Sequence, residues 1–91
     1  MKKISLNDKE YELIKDYKDA FNEQEFLDKV TDYFYDYDYI VGDIAYGKLR
    51  LKGFCDKGSK KWNKINDYAK LDKYFKDNCA VDCKYFILKK I

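Results

Sequence analysis

Ninety-one residues, 46% of them apolar and none of them proline, suffice for one compact domain but not for two, because each half would be too small to close a core. With 40% charged and 19% aromatic residues the chain is not disordered, and no apolar run approaches the roughly 20 residues that span a bilayer. Nineteen basic against seventeen acidic residues give a net charge of +2, which by itself points neither to a nucleic-acid tail nor to an acidic scaffold.

The whole of 1–91 is therefore read as a single domain. Its first residues, Met1-Lys2-Lys3-Ile4-Ser5-Leu6-Asn7-Asp8, become charged too soon for the apolar stretch of a signal peptide, so a cytoplasmic location is expected. Ile4-Ser5-Leu6 and Tyr11-Glu12-Leu13 alternate apolar with polar around the turn-forming Asn7-Asp8-Lys9. This predicts a hairpin whose second strand extends toward Tyr17. At Asn22 the period changes. Asn22 suits an N-cap, Glu25 the N3 position of a capping box, and Phe21 and Phe26 the two staple positions, so a helix starts there. Its apolar face is expected to carry Phe26, Leu27, Val30, Tyr33, Phe34 and Tyr37.

Tyr39-Ile40-Val41 is β-prone and is read as ending at a turn around Gly42-Asp43, with a second strand opening at Gly47. On that second strand Gly47, Leu49, Leu51, Gly53 and Cys55 alternate with Tyr46, Lys48, Arg50, Lys52 and Phe54. The second set, three positive charges between two aromatics, is expected to face water. Residues 56–64 form a basic loop holding Lys57, Lys60, Lys61, Trp62 and Lys64. After Asn66 as N-cap, Tyr68, Leu71, Phe75 and Cys79 recur at helical spacing, giving a second helix to about Asn78. Tyr85-Phe86-Ile87-Leu88 is a continuous apolar strand suited to the middle of a sheet. The order ββαββαβ implies an α+β fold: a five-stranded, largely antiparallel sheet with two helices on one face.

Several runs resemble the YutD family of Gram-positive bacteria. They are Tyr11-Glu12-Leu13-Ile14-Lys15-Asp16-Tyr17-Lys18-Asp19-Ala20-Phe21-Asn22-Glu23, then Asp38-Tyr39-Ile40-Val41-Gly42-Asp43 with Tyr46-Gly47-Lys48-Leu49-Arg50-Leu51-Lys52-Gly53-Phe54, and finally Cys83-Lys84-Tyr85-Phe86-Ile87-Leu88-Lys89-Lys90. The resemblance runs in order along nearly the whole chain. It implies a small cytoplasmic α+β domain and carries over no catalytic residue.

Charge divides unevenly, with a net −6 over residues 1–45 and +8 over residues 46–91, which suggests faces of opposite sign. The leading expectation is a non-enzymatic module that binds RNA or a ribonucleoprotein. Lysine and arginine neutralise phosphates, and planar rings stack bases. Its residues are Tyr46, Lys48, Arg50, Lys52, Phe54, Lys57, Lys60, Lys61, Trp62 and Lys64. A competing reading pairs Lys48, Arg50 and Lys52 with Glu10, Glu12 and Asp16 across neighbouring strands. An alternative function is a protein-interaction module in which Asp32, Tyr35, Asp36 and Asp38 of the acidic, tyrosine-rich helix meet a basic protein partner.

No catalytic constellation is found. There is no histidine, and Asp43, the one carboxylate worth watching, is read as turn chemistry. No cofactor or metal is expected, since Cys79 and Cys83 lack further ligands. Cys55, Cys79 and Cys83 are read as free, small, buried hydrophobes. A monomer or weak oligomer without membrane contact completes the expectation.

Overall fold

The structure is a computed structural model that describes residues 2–6, 8–45, 47–78 and 83–91. Strands β1 (Lys3–Leu6) and β2 (Lys9–Tyr17) form the first hairpin, with Ile4 opposite Tyr11. β2 carries an irregularity at Ile14, between the Leu13 and Lys15 pairings. This extra residue reverses the alternation, so side chains beyond it swap faces. Lys18 and Asp19 then take left-handed φ angles of 61° and 55°, and the turn is tied by the Phe21 N–H donating to Asp16 Oδ1 at 3.0 Å.

Helix α1 (Glu23–Lys29) begins as its sequence demands. The Asn22 side chain accepts from the Glu25 N–H at 3.0 Å, and the Phe21 and Phe26 rings lie 5.8 Å apart as a staple. It ends sooner than the apolar spacing implies. Val30 (φ −68°, ψ 143°) and Thr31 (φ −127°, ψ 170°) are extended, and two adjacent β-branched residues hold a helix poorly. Asp32–Asp36 forms a separate 3₁₀ turn. As a result Leu27 is 41% exposed rather than part of an apolar stripe.

β3 (Tyr39–Ala45) and β4 (Lys48–Phe54) are joined across a tight turn where Gly47 takes φ 75°. β3 thus runs straight through Gly42-Asp43, and the expected turn there is corrected. A 3₁₀ turn (Tyr68–Lys70) leads into helix α2 (Leu71–Asn78). The cap is Asp67, whose side chain accepts from the Ala69 N–H, rather than Asn66. β5 (Lys84–Lys90) closes the described chain. The strand order is β1-β2-β5-β3-β4, antiparallel throughout, with β5 in the middle as its sequence implies.

The helices do not share a face. On one side Phe86 and Leu88 of β5 meet Ile40, Tyr11, Leu13 and Phe26 of α1. On the other, Ile87 meets Tyr39, Val41, Phe54 and Leu71 of α2. A central strand apolar on both sides leaves each face of the sheet needing cover, and one helix supplies each.

Candidate functional site

Alternation along β4 puts Lys48, Arg50, Lys52 and Phe54 on the α2 side; the expectation that this face is wet holds at Lys48 and Arg50, which are exposed, and is corrected at Lys52 and Phe54. Phe54 is fully buried and packs edge-on against Tyr74 at 5.3 Å. Lys52 is half-buried, its ammonium 5.7 Å from the Phe54 ring and 5.6 Å from Tyr74. Arg50 faces Asp43 across the hairpin, with Nη2 donating to Oδ2 at 2.6 Å and Nε to Oδ1 at 3.3 Å. Asp43 is only 2% exposed, while the Arg50 side chain is 44% exposed. This two-pronged bond occupies the fork assigned to phosphate. Burial, then the Asp43 carboxylate, push the nearby Tyr74 hydroxyl above its usual pKa. Of the charged residues on this strand face, Lys48 is exposed and makes no ion pair among the described residues.

The cross-strand alternative is corrected as well. β2 and β4 are separated by β5 and β3, so Glu10, Glu12 and Asp16 do not oppose Lys48, Arg50 and Lys52. The β2 irregularity also turns Asp16 to the opposite face from Glu12, which pairs with Lys89. Asp43 is the carboxylate that the strand-turn reading missed. Placing the hairpin turn at Gly47 instead of Gly42-Asp43 would have set it opposite Arg50.

The basic loop folds back onto the sheet. Asp38 accepts from the Asp56 N–H at 2.9 Å and from the Ser59 hydroxyl. Tyr39 donates to both Asp56 carboxylate oxygens at 3.2 Å while stacking on Tyr68 at 3.7 Å. Burial, then the Asp56 charge, hold the Tyr39 hydroxyl up at about 12. Lys57 lies over the Trp62 ring at 6.0 Å, and Lys61 is 3.7 Å from Asp36. Trp62 is half-buried, with Nε1 buried away from any partner among the described residues. Lys60 and Lys64 are exposed. Tyr46 lies outside the described residues.

Beyond Trp62 the loop is rigidly built. Asn63 Oδ1 accepts from the N–H groups of Ile65 and Asn66 at 2.8 and 2.9 Å. Buried Asn66 returns the bond, its Oδ1 accepting from the Asn63 N–H at 2.8 Å while its amide donates to the Lys61 carbonyl at 2.8 Å. Asparagine side chains bonding local backbone in this way fix a turn without regular structure. At its tip stands Ile65, 78% exposed.

Across from Ile65 lies the 3₁₀ turn. Tyr33 is 61% exposed, and Tyr37 donates to its hydroxyl at 2.9 Å. That bond, then burial, raise the Tyr37 hydroxyl to about 12. The Tyr37 ring covers Gly53, where an added Cβ would sit 2.4 Å from Cγ. Between the two walls runs a cleft of about 220 Å³, with Phe34 and Leu51 in its lining.

The acidic tyrosine set is thereby redistributed. Asp32 and Asp36 are exposed, Asp38 is the loop anchor, and Tyr35 packs half-buried against the core with its carbonyl accepting from Lys90 Nζ at 3.1 Å. Tyr33, assigned from helical spacing to a buried face, is the exposed ring because the helix stops at Lys29. The spacing gave no hint of Ile65.

Cys55 is a buried free thiol, and burial pushes it above its usual pKa. Cys83 is corrected: it lies half-buried just before β5 and is disulfide-bonded, so it is no free core thiol. Cys79 lies outside the described residues. Among the described residues no three metal-ligating side chains cluster, and no helix is long and apolar enough to cross a membrane.

A mixed-face antiparallel sheet with one helix on each side and a tyrosine–isoleucine cleft beside its β4 edge defines a small α+β domain. The family described as "Putative antitoxin YutD-like" matches residues 5–89. "Putative antitoxin YutD" of Bacillus subtilis (strain 168) is 43% identical over 88 residues, which is 97% of either chain. The solution NMR structure of yutD from B. subtilis is similar with a TM-score of 0.82 at 42% identity, over all of this chain and 83% of that one. The chain belongs to the YutD-like family.

Proposed function

We propose that the protein is a non-enzymatic protein-binding module that neutralises a partner protein by seating it on the cleft between Tyr33 and Ile65. The observation that carries this reading is a large aliphatic side chain held 78% exposed, on a loop locked by reciprocal asparagine bonds, facing an exposed tyrosine. An isolated exposed isoleucine is unremarkable, but two large side chains flanking one cleft supply the anchors that interfaces concentrate their energy on. The name antitoxin, carried by the family and by the B. subtilis relative, supports it, because direct contact is the shortest route to neutralising a toxin.

RNA is disfavoured as the occupant. Arg50 is bound to Asp43 and Phe54, the one aromatic of β4, is core, so no exposed aromatic platform remains on β4 for bases to stack on.

The double variant Tyr33→Ser/Ile65→Ser tests the reading. Ile65 is exposed, so its replacement should change stability by no more than roughly 0.5 kcal/mol, while Tyr33→Ser should cost about 1 kcal/mol because it also removes the acceptor of the Tyr37 hydroxyl and a ring packed on Phe34. The protein complex that the tagged wild type forms in its producing cells, followed by native size-exclusion chromatography, should be lost. A complex that survives the double variant but dissolves with ribonuclease, or with Lys60→Gln/Lys61→Gln/Lys64→Gln, would overturn the reading in favour of RNA.

A further inference from the structure

β4 is an edge strand, and its outer side is open over most of its length. Its sheet partner is β3 alone. Only past its end is the edge sealed, where the Cys55 N–H donates to the Asn66 carbonyl at 2.8 Å and the Cys55 carbonyl accepts from the Tyr68 N–H at 3.0 Å. No other backbone partner meets residues 48–54 among the described residues. Such an edge is a template for another strand unless something blocks it.

The two faces flanking this edge differ in chemistry. On the α2 side stand Lys48 and Lys52, with Arg50 between them already neutralised by Asp43. On the α1 side stand Leu49 and Leu51, and Leu51 opens into the Tyr33–Ile65 cleft. At the Leu49 end the α1 wall presents Glu25, Asp28 and Lys29, charges of both signs, so the sign preference of the edge is set on the α2 side. A second copy of this chain fits badly. Antiparallel pairing of two β4 edges puts the lysine rows on the same face, and like charges opposite one another destabilise a sheet.

We propose, building on the protein-binding reading above, that the partner docks an extended segment along β4 from Lys48 to Lys52 as a sixth strand. Its acidic side chains face Lys48 and Lys52. The alternate, apolar side chains run beside Leu49 and Leu51 and end in the cleft. Backbone bonding supplies the affinity, and the charge row sets which face of the guest strand is up.

The probes are two synthetic heptapeptides, one alternating glutamate with valine and the other lysine with valine, titrated into the ¹⁵N-labelled full chain. The acidic peptide should shift the amides of residues 48–52 and protect those of Leu49 and Leu51, which like that of Cys55 point away from β3, and it should bind about tenfold tighter than the basic one, since roughly two cross-strand charge pairs change sign. Lys48→Glu/Lys52→Glu should reverse that preference. Lys48→Glu alone, at an exposed site, should narrow it even if the double variant folds poorly. Equal binding of both peptides, no shifts at 48–52 at millimolar peptide, or self-association of the chain through β4 would overturn the proposal. The cleft stands or falls separately: a partner complex lost in Tyr33→Ser/Ile65→Ser but indifferent to Lys48→Glu retains the cleft and removes the edge.

Discussion

Gly42→Ala should lower stability by about 3 kcal/mol or more, at or beyond the top of the range for overpacking a core. A Cβ at residue 42 would lie 2.2 Å from Phe86 Cζ and 2.4 Å from Cε2, far inside contact distance. Phe86 has nowhere to go. It is fully buried, with Phe21 packed edge-on at 4.9 Å and Phe26 at 5.9 Å. Residue 42 is itself pinned in β3 between β4 and β5. A domain of this size has only about 5–13 kcal/mol in total, so urea denaturation should show a large drop in midpoint. Adding Phe86→Leu to Gly42→Ala should restore part of the loss. A single alanine variant within 1 kcal/mol of wild type would mean the ring does not cover the glycine.

Arg50→Gln is expected to destabilise by roughly 2–3 kcal/mol, somewhat below the 3–5 typical of breaking a fully buried pair, because the guanidinium is partly exposed. Asp43→Asn should cost less. The asymmetry follows from burial: losing arginine deprives a 2%-exposed carboxylate of its two-pronged partner, whereas losing the carboxylate leaves an arginine 44% exposed that water can solvate. Adding Asp43→Asn to Arg50→Gln should therefore recover stability, as thermal or urea melts of the three variants will show. Equal losses in the two single variants, or a double variant worse than either, would contradict the pairing. If Arg50 were instead a phosphate contact, Arg50→Gln would leave the melt unchanged.

Much of the fold was legible because its local signals agree. The Asn22 cap, the Phe21–Phe26 staple and the strand periods of β1 and β2 all point one way. The central place of β5 followed from four consecutive apolar residues. The same run implied that both faces need cover, which the reading of two helices on one face overlooked. The end of α1 is not legible from spacing, because the apolar period continues to Tyr37 across the extended Val30-Thr31 that stops the helix.

At the candidate site the sequence showed residue types but not their partners. Lys48, Arg50 and Lys52 do lie on one strand face, yet whether such charges face water or a carboxylate depends on strand order and on where the hairpin turns. Glycine at 42 resembled a turn, and only the Phe86 ring above it shows otherwise. Ile65 was illegible for a different reason: its exposure comes from the Asn63–Asn66 bonds, which have no periodicity to read.

The most direct measurement places a photo-cross-linking amino acid at position 65, at position 33, and at Lys3 on the opposite edge strand β1, and identifies the adducts formed in the producing cells by mass spectrometry. The account predicts one and the same protein attached at 33 and 65 and absent at 3, with ribonuclease making no difference. Adducts that form equally from all three positions, or that are RNA, would contradict it.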